Sequence, residues 1–307
     1  RFTRMPFHLP THRLTGSPTP DSQGRPMLYD RPIYRPLGDM FVDIEFGDEL
    51  HLALNFRVIG LNLSLTERPI PGVTETVPSN RALMIAYDSA VIRQAALIDA
   101  LREREEAATK LRRAPSRLVT IPFWYDDPWS DECARAHGAP NNMAYLAEIN
   151  DTTVDGVAAA HAGSEWWVTS VGFQPGCYQA LPLDPAFAIT APKYPRPRQW
   201  TPERILCLAG KITSFYPVRS PGGYQLLGRT PVDLYDPLQR NEVFRDSPVL
   251  PVAGERHRYV PIGEAEYHDI RRHVEMGEYR YDIEEGEYSL DDYLARLDAV
   301  QAQAGVA

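Results

Sequence analysis

Cysteine is scarce in this chain, and long apolar runs are missing from it. The three cysteines, Cys133, Cys177 and Cys207, are odd in number and none lies in a CxxC pair. This pattern indicates reduced thiols rather than a disulfide framework or a zinc site. No window approaches roughly 18 continuous apolar residues, and the N-terminus has no charged-then-apolar signal pattern. The sequence therefore predicts neither a membrane span nor a secretion signal, and we expect a cytoplasmic protein.

The chain also has no block of basic residues. Its 32 Lys and Arg residues face 41 Asp and Glu residues, which gives a net charge of −9. An acidic chain without a basic patch is a poor partner for nucleic acid or an anionic membrane. We therefore expect its partner to be a protein or a small molecule.

The length and composition predict two domains. At 307 residues and 43% hydrophobic content, the chain can bury substantial cores. It begins with Arg1 rather than Met, so we expect residues upstream or a longer parent polypeptide.

The first part of the chain predicts an arm followed by an α+β domain. Residues 1–35 contain six prolines and no steady periodicity, which is typical of an extended docking arm. From residue 36 to residue 125 the pattern predicts strands, an amphipathic helix over 50–66 and a charge-rich helix over 91–113. Helices packed on a small antiparallel sheet predict an α+β domain of ferredoxin-like character.

The second part predicts a β-barrel and a helical tail. Asp126, Asp127 and Pro128 precede a helical run and have the pattern of an N-terminal cap rather than of an acid–base pair. Short helices and then short strands with Gly/Pro turns fill residues 126–262, which favours a barrel. The pattern of residues 263–307 indicates a mainly helical tail, with Ser289 as the cap of its last helix.

Three turns in the barrel combine glycine with few charges: residues 171–176, 208–211 and 220–223. One interpretation is that these glycines only satisfy the geometry of tight turns. The other is that their backbone N–H groups converge on a site that holds a carboxylate or an oxyanion. Three such turns in one region favour the site.

Long ungapped motifs in this chain resemble one protein family, covering about residues 36–297. That family is subunit 1 of the allophanate-hydrolase-like proteins, which includes the small subunit of bacterial 5-oxoprolinase, the kinase inhibitor Kip and half of the carboxyltransferase of urea carboxylase. The motifs are GFQPG, AGKITSFYPVRSPGGYQLLGRTP, EFGDELHLALNFRVIGL, GVTETVPSNRALMIAYDS, PSRLVTIPFWYDDP and KYPRPRQWTPE.

The resemblance implies a cyclophilin-like barrel and one half of a biotin-dependent carboxyltransferase. Its tail MGEYRYDIEEGEYSLDDYLARL is similar to that of urea carboxylase, although GFQPG and KITSFYP depart from urea carboxylases. The implied reaction moves a carboxyl group from carboxybiotin to urea or a related small amide. The alternatives are a 5-oxoprolinase small subunit and a Kip-like module that binds a kinase.

The resemblance also implies partner components. The sequence has neither a biotin-attachment motif of the Ala-Met-Lys-Met type nor a phosphate-binding loop. We therefore expect a subunit 2-like protein, a biotin carrier and a biotin carboxylase as partners, with ATP and bicarbonate consumed by the carboxylase.

Three residues are catalytic candidates, each with a structural alternative. His161 aligns with a family histidine and is a base or a favourable charge at a helix C-terminus. Lys211 is a cation for a carboxylate or a surface lysine. Arg229 aligns with a family arginine and binds a carboxylate with its planar fork, or pairs with a structural carboxylate such as Asp233.

Nine further residues in or beside the three turns are expected to bind substrate or carboxybiotin. Their backbone amides and hydroxyl groups would supply the contacts. Cys177 is a weaker candidate, a nucleophile without a neighbouring histidine in sequence. No metal site is predicted. The binding candidates are Gly172, Phe173, Pro175, Gly176, Gly210, Tyr216, Ser220, Gly222 and Gly223.

Overall fold

The structure is a computed structural model that describes residues 28–108 and 110–303. Residues 1–27 of the predicted arm, including Phe2 and Phe7, lie outside the described residues. None of the helices in the described ranges is long and apolar enough to cross a membrane.

The N-terminal domain is a four-stranded antiparallel sheet with two helices, so the α+β prediction is confirmed. Its strands run in the order β1-β2-β4-β3, and the apolar face of the sheet packs with helices α1 and α2 around residues such as Ile44, Leu61 and Leu97. The elements are β1 (Leu28–Leu37), β2 (Phe41–Gly47), α1 (Leu52–Glu67), β3 (Val73–Pro78), β4 (Ala82–Tyr87) and α2 (Gln94–Ala108).

The sheet begins earlier than the sequence pattern indicates. Strand β1 starts at Leu28, inside the segment predicted as an arm, so a domain boundary at residue 35 is wrong. Pro32 and Pro36 hide the alternation, and an edge strand tolerates them because one side of its backbone needs no partner. Strands β2, β3 and β4 with α1 form a split β-α-β unit, whereas the fourth strand comes from before that unit. Ferredoxin-like character therefore stays a prediction.

The second domain is a closed barrel of seven strands. They follow the order β13-β10-β11-β8-β7-β14-β6, and β13 pairs with β6 to close the ring; only β14 and β6 run parallel. The elements are β5 (Arg113–Pro115), β6 (Leu118–Tyr125), α3 (Pro128–Ala136), α4 (Asn142–Ile149), α5 (Val154–Ala162), β7 (Glu165–Val171), β8 (Tyr178–Pro182), β9 (Arg198–Thr201), β10 (Ile205–Ala209), β11 (Ile212–Tyr216), β12 (Ser220–Gly222), β13 (Gln225–Arg229) and β14 (Arg256–Pro261).

Two predicted boundaries change because of this topology. Strand β6 belongs to the barrel and not to the α+β domain, since its partners are β13, β14 and the tail strand β15 (Asp282–Glu284). The tail is also less helical than expected, because β15 joins β6 and β16 (Glu287–Ser289) joins β5. Its helices are α6 (Glu264–Glu275) and α7 (Leu290–Gln303), and Ser289 Oγ accepts the Asp292 N–H at 3.2 Å, as expected of a cap.

A buried asparagine connects the two domains. Asn55 on α1 donates through Nδ2 to the carbonyl oxygens of Ser79 (2.9 Å) and Thr169 (3.0 Å), and its Oδ1 accepts the Trp167 indole N–H at 2.7 Å. Beside it, Asn80 donates to Gln179 Oε1 at 2.7 Å. These bonds fix the β3–β4 turn against strands β7 and β8 of the barrel.

Replacing Asn55 by Ala is expected to destabilise the protein by about 2 to 3 kcal/mol, because a buried indole N–H and three carbonyl groups lose a partner. Urea unfolding of both proteins measures the difference. Asn62→Ala, which removes only the partner of the Thr76 hydroxyl, is the control and should cost less. Equal losses from the two changes would contradict this role of Asn55.

Candidate functional site

A cavity of about 660 Å³ lies where the N-terminal sheet meets the barrel. The end of β3 and the following turn supply one wall, through Val77, Pro78 and Ser79. The barrel supplies the rest, from β7, β8, β11, the segment 193–197 and residues of the first and third turns. Because the β3–β4 turn is fixed by Asn55 and Asn80, the junction of the two domains shapes this cavity.

The first and third glycine turns meet at this cavity. Gln174 Nε2 donates to Ser220 Oγ at 3.2 Å, which joins the two turns. The amides of Phe173, Gln174 and Gly223 donate to no described group. Gly172, Phe173, Gly222 and Gly223 line the cavity, so its mouth carries backbone donors that are available to a ligand.

The second turn lies elsewhere, so the expectation that three turns converge is wrong. Ala209 pairs with Ile212 at the turn of the β10–β11 hairpin, whereas Ile205 pairs with Tyr216 at its far end. That separation is roughly 13 Å at the rise of an antiparallel strand. Gly210 and Lys211 line a different cavity of about 400 Å³, between the barrel, the start of α1 and helix α7. Both residues are exposed.

Three of the predicted binding residues, in the first and third turns, do not line the first cavity. Ser220 is buried and holds Gln174. Gly176 has a φ of +78°, and a Cβ there would lie 2.6 Å from the Cβ of Tyr235, so only glycine fits this corner. Pro175 is exposed beside it.

The charge of the first cavity is positive. Lys193 is the one Lys or Arg among its described lining residues, and none of these residues is Asp or Glu. Its Nζ lies 5.0 Å over the ring of Tyr224 and makes no ion pair within the described ranges. A cation that has no carboxylate partner in a half-open, largely apolar cavity attracts an anionic ligand.

The wall beside the third turn is tightly packed. Tyr216 is buried, and burial raises the pKa of its phenol, so the hydroxyl stays protonated and can donate. A Cβ added to Gly222 would overlap that hydroxyl and lie 2.9 Å from Cε1 of the same ring. Cys177 also lines the cavity, but burial raises the pKa of its thiol to about 11, which leaves it a poor nucleophile.

Phe173 stands at the mouth of the cavity with its side chain in solvent. It is 79% exposed and has a φ of +71°, an uncommon conformation for an aromatic residue. Phe173, a binding candidate from the sequence, lies in the lining of the cavity.

His161 lies in the core of the barrel and does not reach the cavity. It is 1% exposed, stacks on Trp166 and has Nδ1 2.8 Å from the Tyr125 hydroxyl. Its Nε2 lies 3.1 Å from Thr213 Oγ1, and that hydroxyl donates to the Cys207 carbonyl. Nε2 therefore carries the proton, and Nδ1 accepts from Tyr125. Burial lowers the pKa of His161 to about 3, so the ring is neutral near pH 7.

Because the pKa of His161 is lower in the folded state than in the unfolded chain, the stability it contributes is present above pH 6.5 and decreases as the pH falls toward 3. We expect about 1.5 kcal/mol of this stability to be lost between pH 6.5 and pH 5. The measurement is urea unfolding at both pH values. His161→Leu should show a shallower pH dependence of stability than the wild type. An unchanged slope in His161→Leu would refute the assignment.

Arg229 is not among the described residues that line the first cavity. Its guanidinium lies 4.5 Å over the Trp129 ring, forms an ion pair with the Glu203 carboxylate and donates through Nε to the Glu203 carbonyl at 3.0 Å. The carboxylate partner is thus Glu203, whereas Asp233 pairs with Arg271 at 2.8 Å. The structure does not bring Arg229 to the cavity, nor does it bring His161, Lys211 and Arg229 together.

Several lining residues had no predicted role. Lys193, Tyr194 and Pro197 come from the motif KYPRPRQWTPE, and Gln179 and Tyr224 flank the first and third turns. Gln179 Nε2 donates to the Tyr224 hydroxyl at 3.1 Å, so the two turns share one polar wall. The sequence signal for Lys193 was its place inside a proline-rich motif next to a turn. A charged side chain in such a segment is rarely needed for packing.

Comparisons with known proteins agree with this architecture. A family model described as "Carboxyltransferase domain, subdomain C and D" matches residues 32–245. Urea amidolyase of Lachancea kluyveri is 28% identical over 280 residues, which are 87% of this chain but 15% of that protein. One subunit of the 5-oxoprolinase of Bacillus subtilis is 28% identical over 244 residues, 76% of this chain and 93% of that protein. The crystal structure of the K. lactis urea amidolyase is 25% identical, has a TM-score of 0.78 and is matched over 90% of this chain and 17% of that one.

Proposed function

The chain belongs to the family of carboxyltransferase domains, subdomains C and D, and from this premise we propose that it is one half of a biotin-dependent carboxyltransferase. Its acceptor in this proposal is urea or a related small amide. The observation that carries the proposal is the cavity at the domain junction, where unpaired backbone amides, the Tyr216 hydroxyl and Lys193 meet without a carboxylate in the described lining.

The cavity suits the group that such a reaction requires. Its volume of about 660 Å³ falls in the range of small-molecule sites. Biotin, carried on another protein, supplies the carboxyl group that is transferred. The unpaired Phe173 amide would hold the carboxyl group of carboxybiotin, Tyr216 would donate to an oxygen that gains charge, and Lys193 would balance the negative charge of the bound ligand. The backbone amides and the buried Tyr216 hydroxyl are held by the fold before the ligand arrives, so they need little reorganisation.

Proton transfer is assigned to the partner protein in this proposal. The described lining residues include no Asp, Glu or His, and His161 is held neutral inside the barrel. A subunit 2-like protein that covers the open side of the cavity would bring the base for the acceptor. The active site would then lie between the two chains.

The test is reconstitution. We expect the chain to co-purify with a subunit 2-like protein and, with a biotin carboxylase and carrier present, to support bicarbonate-dependent ATP turnover on urea or a related amide. No complex, or a complex without amide-dependent turnover, would contradict the proposal.

A second candidate is the small subunit of a 5-oxoprolinase, because the match with the Bacillus subtilis 5-oxoprolinase component extends over 93% of that protein. The match with urea amidolyase covers 87% of this chain, whereas the match with the 5-oxoprolinase subunit covers 76%. We therefore favour the urea carboxylase-like reaction. ATP-dependent hydrolysis of 5-oxoproline by the reconstituted assembly, without carboxylation of amides, would reverse this choice.

A further inference from the structure

Arg198 carries a buried charge that has no counter-ion in the described part of the chain. Its side chain is 1% exposed, and both terminal guanidinium nitrogens are buried without a hydrogen-bond partner. Its one hydrogen bond joins Nε to Thr201 Oγ1 at 3.3 Å. An unpaired buried guanidinium costs several kcal/mol, so its presence requires compensation.

Arg198 lies directly behind the wall of the first cavity. Its guanidinium is 4.6 Å over the ring of Tyr194, and its backbone pairs with Gly222 across the β9–β12 ladder. Tyr194 and Gly222 both line the cavity. Burial raises the pKa of Tyr216 and the charge of Arg198 opposes that rise, so the field of the guanidinium also reaches this phenol.

Tyr194 connects this charge to the third turn. Its backbone N–H donates to the Gly223 carbonyl at 2.7 Å, and its hydroxyl accepts from Asn142 Nδ2 at 2.7 Å. The Tyr194 ring is therefore held at both ends, with Arg198 against it and the unpaired Gly223 amide beside it. Lys193, the preceding residue, adds a second positive charge at the same end of the cavity.

We infer that Arg198 is the counter-charge of an anion subsite at the Tyr194–Gly223 end of the cavity, and that the small molecule bound there carries a carboxylate. This inference rests on the proposed function only in taking the cavity as the ligand site. Arg198 acts through the wall as a positioning residue, while the Gly223 amide and Lys193 contact the anion. A neutral ligand would leave the buried charge uncompensated.

The test compares two probes on the full chain: ureidoacetate, a urea with a carboxylate, and ureidoacetamide, its neutral amide. Calorimetry should show that the wild type binds ureidoacetate roughly tenfold more tightly than ureidoacetamide. Arg198→Met should abolish that preference and, without ligand, melt at or above the wild-type temperature, because an uncompensated buried charge is removed. Arg219→Met, which removes an exposed guanidinium that lies 4.5 Å over Trp200, should change neither.

A measurement on the wild type keeps the inference testable if Arg198→Met does not fold. The side-chain nitrogen resonances of Arg198, assigned by their loss in Arg198→Lys, should shift on addition of ureidoacetate and not of ureidoacetamide. Equal affinity for the two probes, or a preference that survives in Arg198→Met, would overturn the inference. Failure of the proposed function is a separate result, the absence of a complex with the subunit 2-like protein, which these binding measurements do not require.

Discussion

Replacement of Lys193 by methionine is expected to lower kcat/KM for carboxyl transfer about 100-fold in the reconstituted assembly. Removing one group aimed at the charge that develops in a transition state typically has an effect of this order. Lys193 is the cation of the described cavity lining, and no described carboxylate holds it away from a ligand. A steady-state assay of amide-dependent ATP turnover measures the loss.

Lys211→Met is the matched control for this substitution. Lys211 is also an exposed lysine of the barrel, but it lines the second cavity, at the turn of the β10–β11 hairpin. We expect it to keep activity within about twofold of the wild type, since surface changes away from a site have small effects. A large loss in Lys211→Met with little change in Lys193→Met would place the reaction at the second cavity.

Gly222→Ala is expected to abolish ligand binding at the first cavity, with a loss of at least about 100-fold in activity. The added Cβ would overlap the Tyr216 hydroxyl and crowd the ring at 2.9 Å from Cε1, so the buried ring must move, and the open space beside it is the cavity. Overpacking of this kind also costs about 1 to 3 kcal/mol of stability. Activity and the melting temperature should therefore both fall, with activity falling far more.

The adjacent glycine provides the control. A Cβ on Gly223 would meet its nearest atoms, those of Pro197, at 3.9 Å, which is ordinary contact. Gly223→Ala keeps the backbone amide and should retain most of the activity and stability. If Gly223→Ala were as damaging as Gly222→Ala, general intolerance of the turn, and not displacement of Tyr216, would be the cause.

Helices and strands are predictable from the sequence where the signal is local, as with hydrophobic periodicity or a helix cap. Asp127 illustrates this, because its Oδ1 accepts the N–H groups of Trp129 and Ser130 at 3.0 Å, as the Asp-Asp-Pro pattern indicates. Strand β6 is also predicted, but its assignment to the first domain is wrong, since strand partners are set by long-range pairing that no local pattern records. For the same reason, the tail is predicted as mainly helical, and the pairing of β15 with β6 is not predicted.

The site is only partly predictable. Gly172, Gly222 and Gly223 are identifiable because tight turns have a composition signal, and they do line the cavity. Gly210 has the same signal but lies at the opposite end of a hairpin, so equal turn chemistry does not imply proximity. His161 and Arg229 are candidates because of their side-chain chemistry. The structure buries His161 in an aromatic core and pairs Arg229 with Glu203, and both outcomes depend on tertiary contacts that the sequence does not show. Lys193 lies in a proline-rich motif, but it was not predicted because that motif does not show which cavity the side chain lines.

Hydrogen–deuterium exchange of the reconstituted assembly, with and without its biotin-bearing carrier, tests the central claim most directly. The unpaired amides within residues 172–176 and 220–224 should exchange fast in the chain alone and become protected when the carrier is present, while the turn at 209–211 should not change. Protection confined to the 209–211 turn, or no protection at either of the first two segments, would contradict the assignment of carboxyl transfer to the cavity at the domain junction.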